Sequence, residues 1–245
     1  MGSVLYYQGK YKQVEGMDRR ALEGRQKILG MNHPDTLNSV NSLATTLHSQ
    51  GKYDDKTEEL SRRALEGREE ILGLDHPDTL LSVNSLGIFL CDQVKYHEAK
   101  EMHQRALTGR EKVLGADHPD TLGTIGNLAY ILDQQGRQDE AEEMCRQTLT
   151  GREKVLGTDH PDILSSIAHL ACILDKQGEY VEAEEMYRRA LIGQEKVLGA
   201  DHPNTLLNIS RLAISLANQA RYKEAEEMNR LVLTKGGKDT RSQPF

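Results

Sequence analysis

The stretch Gly-Arg-Glu-Lys-Val-Leu-Gly-Ala-Asp-His-Pro-Asp-Thr-Leu, residues 109–122, decides the fold because close copies of it recur along the chain. Its His-Pro dipeptide begins at residues 33, 76, 118, 160 and 202, which gives one period of 43 residues and then three of 42. A fixed period in this range is the signature of a stack of units, each of which packs on its neighbours. The sequence therefore predicts a repeat array rather than one thick globular core.

Each period carries the pattern of two helices. After His118-Pro119, the apolar residues Leu122, Ile125, Leu128, Ala129 and Leu132 follow one helical face. This pattern predicts a first helix, helix A, from about Pro119 to Gln135. Gly136 ends it, and a second pattern that continues through Leu156 predicts helix B, which ends at Gly157. Proline in a first turn and glycine after a last turn are typical helix boundaries.

We expect six units, near residues 5–32, 33–75, 76–117, 118–159, 160–201 and 202–234, followed by a disordered polar tail at 235–245. The first unit keeps its helix B at 11–29 and little of its helix A. The 43-residue period contains one additional residue near Lys56, for which we expect a π-type bulge in helix B.

Composition narrows the class of partner. The net charge is −7 and the pI is about 5.7, whereas nucleic acid and anionic membranes both require a basic surface. No apolar run approaches the roughly 20 residues of a membrane span. The cysteines Cys91, Cys145 and Cys172 are odd in number and lack C-x-x-C spacing. These features predict a cytoplasmic protein that binds neither nucleic acid nor membrane.

No catalytic, metal or cofactor site is predicted. The five histidines of the His-Pro dipeptides lie beside acidic residues, but they belong to successive units and are too far apart to share one ion, so helix N-capping is the better interpretation. Acidic pairs such as Glu142-Glu143 precede arginines by three to five positions and predict an ion-paired helix B surface. The spacing places no histidine and acid beside Cys91 or Cys172, and no phosphate-binding loop is present.

The order of small and large residues resembles the tetratricopeptide repeat, as carried by Leu128-Ala129, Leu132, Gly136 and Ala141 and by Tyr180, Ala183 and Ala190. The longer unit, with residues 109–122 and Ala-Glu-Glu-Met at 141–144, resembles the repeats of kinesin light chains. It is also similar to the arrays that follow nucleotide-binding domains in fungal immune-type receptor proteins. The resemblance implies an all-α fold, a right-handed α-solenoid of helix pairs with a 42-residue period, and a protein–protein interaction scaffold.

One feature departs from the light-chain pattern. Glycine stands at positions 24, 67, 109, 151 and 193, where light-chain repeats usually have an aliphatic residue. A glycine inside a helix costs about 1 kcal/mol relative to alanine. We therefore expect a close helix crossing or a local bend at these positions.

Two neighbouring units differ mainly along one stripe of helix A. Residues 109–150 and 151–192 share 27 of 42 positions, and the differences in helix A fall mostly at positions 123, 124, 126, 127, 130 and 134. Of these, positions 123, 126, 127, 130 and 134 form one stripe at helical spacing. In arrays of the family that this chain resembles, such a stripe lines the concave groove, so unit-by-unit change there suits ligand specialisation. Drift at exposed positions would give the same pattern.

The candidate peptide-binding residues are those of the stripe in each unit: Asn41, Ser42, Thr45, Asn84, Ser85, Ile88, Asn127, Tyr130, His169, Cys172, Lys176, Arg211 and Ile214. His48, Cys91, Ser210 and Asn218 occupy further stripe positions. The three asparagines are expected to hydrogen-bond an extended peptide backbone, and Ile88, Tyr130 and Ile214 to supply apolar contact.

His169, Lys176 and Arg211 predict a locally basic groove that favours an acidic segment. The function expected is the binding of a protein or peptide. The rival is a structural spacer or self-association array within a larger nucleotide-binding receptor.

Overall fold

The structure is a computed structural model that describes residues 11–52 and 54–236, and these residues form eleven α-helices and no strand. The helices are α1 (Tyr11–Leu29), α2 (Pro34–Ser49), α3 (Asp55–Leu72), α4 (Pro77–Asp92), α5 (Tyr96–Leu114), α6 (Pro119–Gln134), α7 (Gln138–Leu156), α8 (Pro161–Gln177), α9 (Tyr180–Val197), α10 (Pro203–Asn218) and α11 (Tyr222–Gly236). The even-numbered helices are helices A and the odd-numbered ones are helices B. The predicted all-α class and the alternation of two helices per period are confirmed.

Histidine begins the helices A. The backbone amide two residues after each His-Pro histidine donates to the histidine Nδ1 at 3.1–3.2 Å, at His33, His76, His118, His160 and His202. The proline that follows has no backbone N–H, and the first turn of a helix does not use that group in an intrahelical hydrogen bond. The capping role predicted for these histidines is therefore confirmed.

Glycine follows the ends of the helices at the positions that the sequence predicts. Gly136, two residues after the end of α6, has φ +76°, and Gly157, directly after α7, has φ +78°. A residue with a Cβ is strained at such angles. The boundaries predicted at residues 135, 136 and 157 thus lie within one residue of those observed.

The glycine inside helix B marks a close helix crossing at Gly67, Gly109 and Gly193, as expected, but not at Gly24, where no atom lies within 4 Å of an added Cβ. A Cβ on Gly67 of α3 would lie 2.7 Å from Cδ2 of Leu37, which belongs to α2 of the same unit. Gly109 meets Leu80 and Gly193 meets Leu164 in the same way. The absent side chain therefore lets helices A and B of one unit pack closely.

The prediction of a π-type bulge near Lys56 is wrong. Helix α3 is α-helical throughout its 18 residues, whereas α5 has 19. The additional residue lies in the connection before α3, which spans residues 50–54, compared with 93–95 before α5. The Asp54 side chain caps α3 by accepting from the Thr57 amide at 2.9 Å, so the helix begins later instead of bulging.

The chain divides into two compact units, Met1–Asn127 and Leu128–Phe245. In the first, Leu22 packs with Val40, Leu43 and Leu47 of α2. In the second, Ile167, Leu170 and Tyr187 belong to a larger buried cluster. Lys235 and Gly236 of the expected tail belong to α11, while the rest of that tail and residues 5–10 of the first unit lie outside the described residues. No helix in the described part of the chain is long and apolar enough to cross a membrane.

Candidate functional site

Four predicted residues line one cavity in the first compact unit. The cavity lies between α2 and α4, has a volume of about 300 Å³, and is lined by Asn41, Ala44, Thr45, His48, Ser49, Ser61, Ser85, Ile88 and Phe89. The predicted residues Asn41 and Thr45 come from one helix A, and Ser85 and Ile88 from the next. The comparison of sister units thus selected positions that the fold brings together.

His48, which lines this cavity, contacts Asp92 and lies near Phe89. His48 Nε2 lies 2.6 Å from Asp92 Oδ2, and its ring centroid lies 5.8 Å from that of Phe89. The stripe position Cys91 is buried instead of facing the cavity. Burial, with a smaller contribution from Asp92, raises the pKa of its thiol to about 12. Because its side chain is buried, Cys91 does not line the cavity.

The three asparagines do not occupy equivalent positions. Asn41 and Asn84 follow their repeat histidines by eight residues, but Asn127 follows its histidine by nine. Asn127 Nδ2 donates to Asn84 Oδ1 at 3.2 Å, and Ser82 Oγ donates to Asn41 Oδ1 at 3.4 Å. These amide oxygens therefore tie neighbouring helices A together, which the sequence interpretation missed.

His103 of α5 lies beneath this row. It is fully buried, its Nδ1 lies 3.2 Å from Asn84 Oδ1, and its Nε2 has no hydrogen-bond partner among the described residues. A Cβ on Gly87 would lie 2.8 Å from the His103 ring. Burial, assisted by the charge of Arg110, lowers the pKa of His103 to about 4. The glycine of α4 therefore makes room for a neutral imidazole.

In the second compact unit, Lys176 is not a free groove cation. Its Nζ lies 2.7 Å from both carboxylate oxygens of Asp133, a buried residue of the neighbouring helix A. Burial alone would raise the pKa of Asp133, but His169 and Lys176 outweigh it and hold that pKa below its usual range. The stripe of this unit is consequently less basic than predicted, since a buried carboxylate balances one of its three cations.

The structure places a thiol, an imidazole and a carboxylate in a row, which the sequence analysis did not expect. Cys145 Sγ lies 3.5 Å from His169 Nδ1, and His169 Nε2 lies 3.9 Å from Asp133 Oδ2. Cys145 is buried, however, and that burial is the main reason why its pKa is raised to about 12. Such a thiol does not ionise near neutral pH and is not an activated nucleophile.

The remaining predicted residues of this unit stay accessible. Tyr130 and Ile214 are exposed, Ser210 and Cys172 are half-buried, and the Tyr130 ring lies 5.9 Å from that of His169. Arg211 is half-buried and makes no hydrogen bond or ion pair with any residue that the structure describes. Asn218 Nδ2 donates to Asp175 at 3.3 Å. Arg211 is thus the predicted cation best placed to meet a ligand carboxylate.

Two contacts that sequence reasoning missed join successive units. The arginine after the helix B glycine donates to a first-turn carbonyl of the next helix A and to a hydroxyl one turn later. Arg68, for example, reaches Asp78 O at 2.8 Å and Ser82 Oγ at 2.5 Å. We call this contact the arginine clamp. Its signal was present, because arginine recurs at 25, 68, 110 and 152.

The second contact is a glutamate tie. Glu15 of α1 accepts from Gln50 Nε2 at 2.8 Å and from Lys52 Nζ at 3.1 Å, both at the end of the next helix A. Hydrogen bonds from Arg19, Gln50 and Lys52 lower the pKa of Glu15 to about 2.

The helix B surface also carries the expected ion pairs, such as Glu142 with Arg146 at 2.7 Å. In the described part of the chain, no group of three or more His, Cys, Asp or Glu side chains is arranged to hold a metal ion.

The helix pairs, their boundaries and their order define a repeat scaffold, and the chain belongs to the tetratricopeptide repeat family. One model of that family matches residues 1–55 and 79–154, and a second matches residues 36–78 and 163–204. Tetratricopeptide repeats generally mediate protein–protein interaction, and the fold is a scaffold that typically has no catalytic activity. A comparison with curated protein sequences found no match.

Solved structures give the more particular likeness. Two crystal structures of putative kinesin light chain nearly identical TPR-like repeats from Podosopora anserina are 27% identical to this chain. They cover 86% of it and 99% of their own length, with TM-scores of 0.68 and 0.67. The structure of BtubC (BKLC) from P. vanneervenii is 16% identical, covers 96% of this chain and 94% of its own, and has a TM-score of 0.75. This last likeness concerns the fold alone.

Proposed function

We propose that the chain is a protein–protein interaction scaffold that binds a peptide or protein segment along its helices A. The observation that carries this proposal is the cavity between α2 and α4, because it is open to a ligand and lined by residues that differ from unit to unit. Ile88 is 37% exposed on its wall. The three free cysteines, two of them buried, support a reducing, cytoplasmic compartment.

The lining of the cavity indicates what it accepts. Ile88 and the buried Phe89 offer apolar surface, while Asn41, Thr45 and Ser85 offer uncharged donors and acceptors at the rim. A cavity of this kind suits one apolar side chain of a peptide whose backbone runs over the polar rim. The acidic character proposed for the ligand rests on Arg211, since Lys176 is already paired with Asp133.

The test selects peptides with the wild-type chain from a displayed random-peptide library, then measures the affinity of one selected peptide by fluorescence polarisation. We expect Ile88→Asp to weaken binding roughly tenfold, because it places a charge in the apolar wall. Ile71→Asp is the matched control, since Ile71 is 43% exposed on α3 and lies away from the cavity.

Arg211→Glu tests the acidic preference with the same peptide set. Selected peptides that carry carboxylates should lose affinity for this variant, and uncharged ones should not. A spacer role would be favoured if the wild type selects no peptide. It would be favoured equally if binding survives Ile88→Asp and Arg211→Glu but fails when the helix B charge Arg146 is reversed.

A further inference from the structure

The accessible face of α10 carries two large apolar side chains with an arginine between them. Leu207 is 50% exposed and Ile214 is 58% exposed, and the half-buried Arg211 stands between them in the sequence. Residues that are three, four or seven positions apart share one face of a helix. We call these three residues the α10 stripe. This face is therefore apolar at both ends and cationic at its centre.

The exposure of the apolar pair belongs to its place within the unit. The equivalent residues of α4 are Leu81 and Ile88, which are 43% and 37% exposed, although another helix A follows α4. At the centre of the pair, α4 has Ser85 where α10 has Arg211. The other described helices A have a small or polar residue at the first position of the pair, namely Asn38, Gly123 and Ser165. Among the described helices A, α10 alone thus combines the apolar pair with a cation.

The charge of Arg211 is available to a ligand. Its guanidinium makes no hydrogen bond or ion pair with any residue that the structure describes. Two neighbouring cations are already paired, because Lys176 of α8 lies 2.7 Å from Asp133 and Arg221 lies 2.6 Å from Glu224. A hydrogen bond between a guanidinium and a carboxylate is about twice as strong as a neutral one. The α10 stripe therefore favours a carboxylate at its centre.

We propose that the α10 stripe docks an amphipathic helix of a partner protein, in which a carboxylate lies between two apolar residues that are seven positions apart. This inference rests on the proposed function and names the kind of segment bound at this part of the array. Leu207 and Ile214 are separated by about 10 Å along the axis of α10. Residues seven positions apart on a guest helix have the same separation. An extended strand places side chains of one face about 7 Å apart, so neither neighbouring nor alternate ones match it.

Arg211 disfavours a second copy of this chain as the occupant. A two-fold contact between two α10 stripes would match Leu207 with Ile214, but it would place each Arg211 against its own equivalent. Like charges that face each other across a contact destabilise it. A guest helix with a glutamate or aspartate at its centre replaces that repulsion by attraction.

The test uses three synthetic alanine-rich peptides of about 20 residues, a length that permits helix formation in isolation. Each has two leucines seven positions apart, and the position four after the first leucine is glutamate, glutamine or lysine. Binding to the full chain is followed by fluorescence anisotropy, and the helix content of each peptide by circular dichroism. We expect the glutamate peptide to bind roughly tenfold more tightly than the lysine peptide.

Substitutions in the α10 stripe separate the apolar contribution from that of the charge. Leu207→Asp and Ile214→Asp should each weaken binding of the glutamate peptide roughly tenfold, because each places a carboxylate in an apolar contact. Arg211→Glu should reverse the preference, so that the lysine peptide binds more tightly. Ile192→Asp is the matched control, since Ile192 is 71% exposed on α9 and lies outside the stripe; it should leave the affinity unchanged.

The inference is overturned if the wild type binds none of the three peptides, if the glutamate and lysine peptides bind equally, or if Arg211→Glu leaves the preference as it was. Loss of binding in Ile88→Asp would also overturn it, because the peptide would then occupy the cavity between α2 and α4. The proposed function has a separate readout. A library-selected peptide that binds the wild type and is weakened by Ile88→Asp would support that function even if the glutamate peptide does not bind.

Discussion

At the scale of single residues, His103 shows how one substitution requires another. The helix B position that holds His103 holds Cys145 in the next unit, and the facing helix A residue changes from Gly87 to Ala129. An alanine at position 87 would place its Cβ 2.8 Å from the imidazole. The larger residue on one helix is thus matched by a smaller one on its neighbour, which keeps the packing density of the core.

His103 makes the stability of the chain sensitive to mild acid. Its folded pKa of about 4 lies below the ordinary value of 6.5, so the unfolded chain binds more protons between these values. The contribution of the neutral imidazole is complete above about pH 6.5 and is lost as the pH falls toward about 4. We expect a loss of about 2 kcal/mol in the free energy of unfolding between pH 7 and pH 5, measured by urea denaturation.

The control for this prediction is the double variant His103→Cys with Gly87→Ala, which copies the residues of the next unit. It has no titrating group at this position in that range and should lose less stability between the same two pH values. Equal losses in the wild type and the double variant would show that other groups cause the acid sensitivity. The carboxylate of Glu15, with its pKa lowered to about 2, acts only below this window.

At the scale of the elements, the spacing of helices A and B within a unit depends on the helix B glycine. Alanine is the better helix former by about 1 kcal/mol, yet at position 67 its Cβ would meet the buried side chain of Leu37. Overpacking of this kind costs about 1–3 kcal/mol. The tertiary contact therefore opposes the intrinsic preference at this position.

Two matched substitutions separate these effects. Gly67→Ala should destabilise the chain by about 1 kcal/mol, because overpacking exceeds the gain in helix propensity. Gly24→Ala, at the equivalent position of α1, should be neutral or stabilising by up to about 1 kcal/mol, since no atom lies within 4 Å of the added Cβ. Thermal unfolding of both variants measures the difference. The same sign of effect in both would contradict the proposed crossing.

Most elements could be predicted from the sequence because their signals are local. The His-Pro caps, the glycine ends and the apolar spacing all act within one turn of the residues that carry them. The bulge near Lys56 was wrong because the count of residues does not say where an insertion is accommodated. The structure accommodates it where Asp54 can cap a later helix start. That outcome depends on competition between a loop and a helix, which spacing alone does not resolve.

At the scale of the whole molecule, stability is close to a sum over units and their junctions, and one junction differs. Between α9 and α10, Gln194 stands where other junctions have the clamp arginine, and Asn208 stands where they have serine or threonine. Gln194 Oε1 and Asn208 Oδ1 are buried without a hydrogen-bond partner among the described residues. Unpaired buried oxygens cost about 1–3 kcal/mol each, so we expect this junction to be weaker than one that has the arginine clamp.

We expect α10 and α11 to open before the helices that precede them in the second compact unit. Native-state hydrogen exchange should show lower protection in α10 and α11 than in α8. The double variant Gln194→Arg with Asn208→Ser, which installs a clamp, should raise the protection of α10 about tenfold, as expected for 1–2 kcal/mol. Uniform protection across these helices, or no response to the double variant, would exclude a weak junction.

The candidate site was predicted in outline but not in its chemistry. Differences between two sister units marked the positions that line the cavity, such as Thr45 and Ile88, because both lie on one accessible face. The partners of these residues could not be predicted in the same way. Lys176 pairs with Asp133, 43 residues away, and Asn84 with Asn127. Such contacts depend on the stagger of successive helices A, which the period alone does not fix.

The clamp and the lateral pairs have different consequences for how the gene can change. The clamp joins an arginine to a backbone carbonyl and a small hydroxyl, both of which nearly every unit supplies, so unequal exchange between repeats would preserve it. A lateral pair such as Asp133 with Lys176 is particular to two neighbours, so the same exchange would give Asp133 a new companion. Recombination among these repeats can therefore create new recognition surfaces while the joints that hold the array together remain the same.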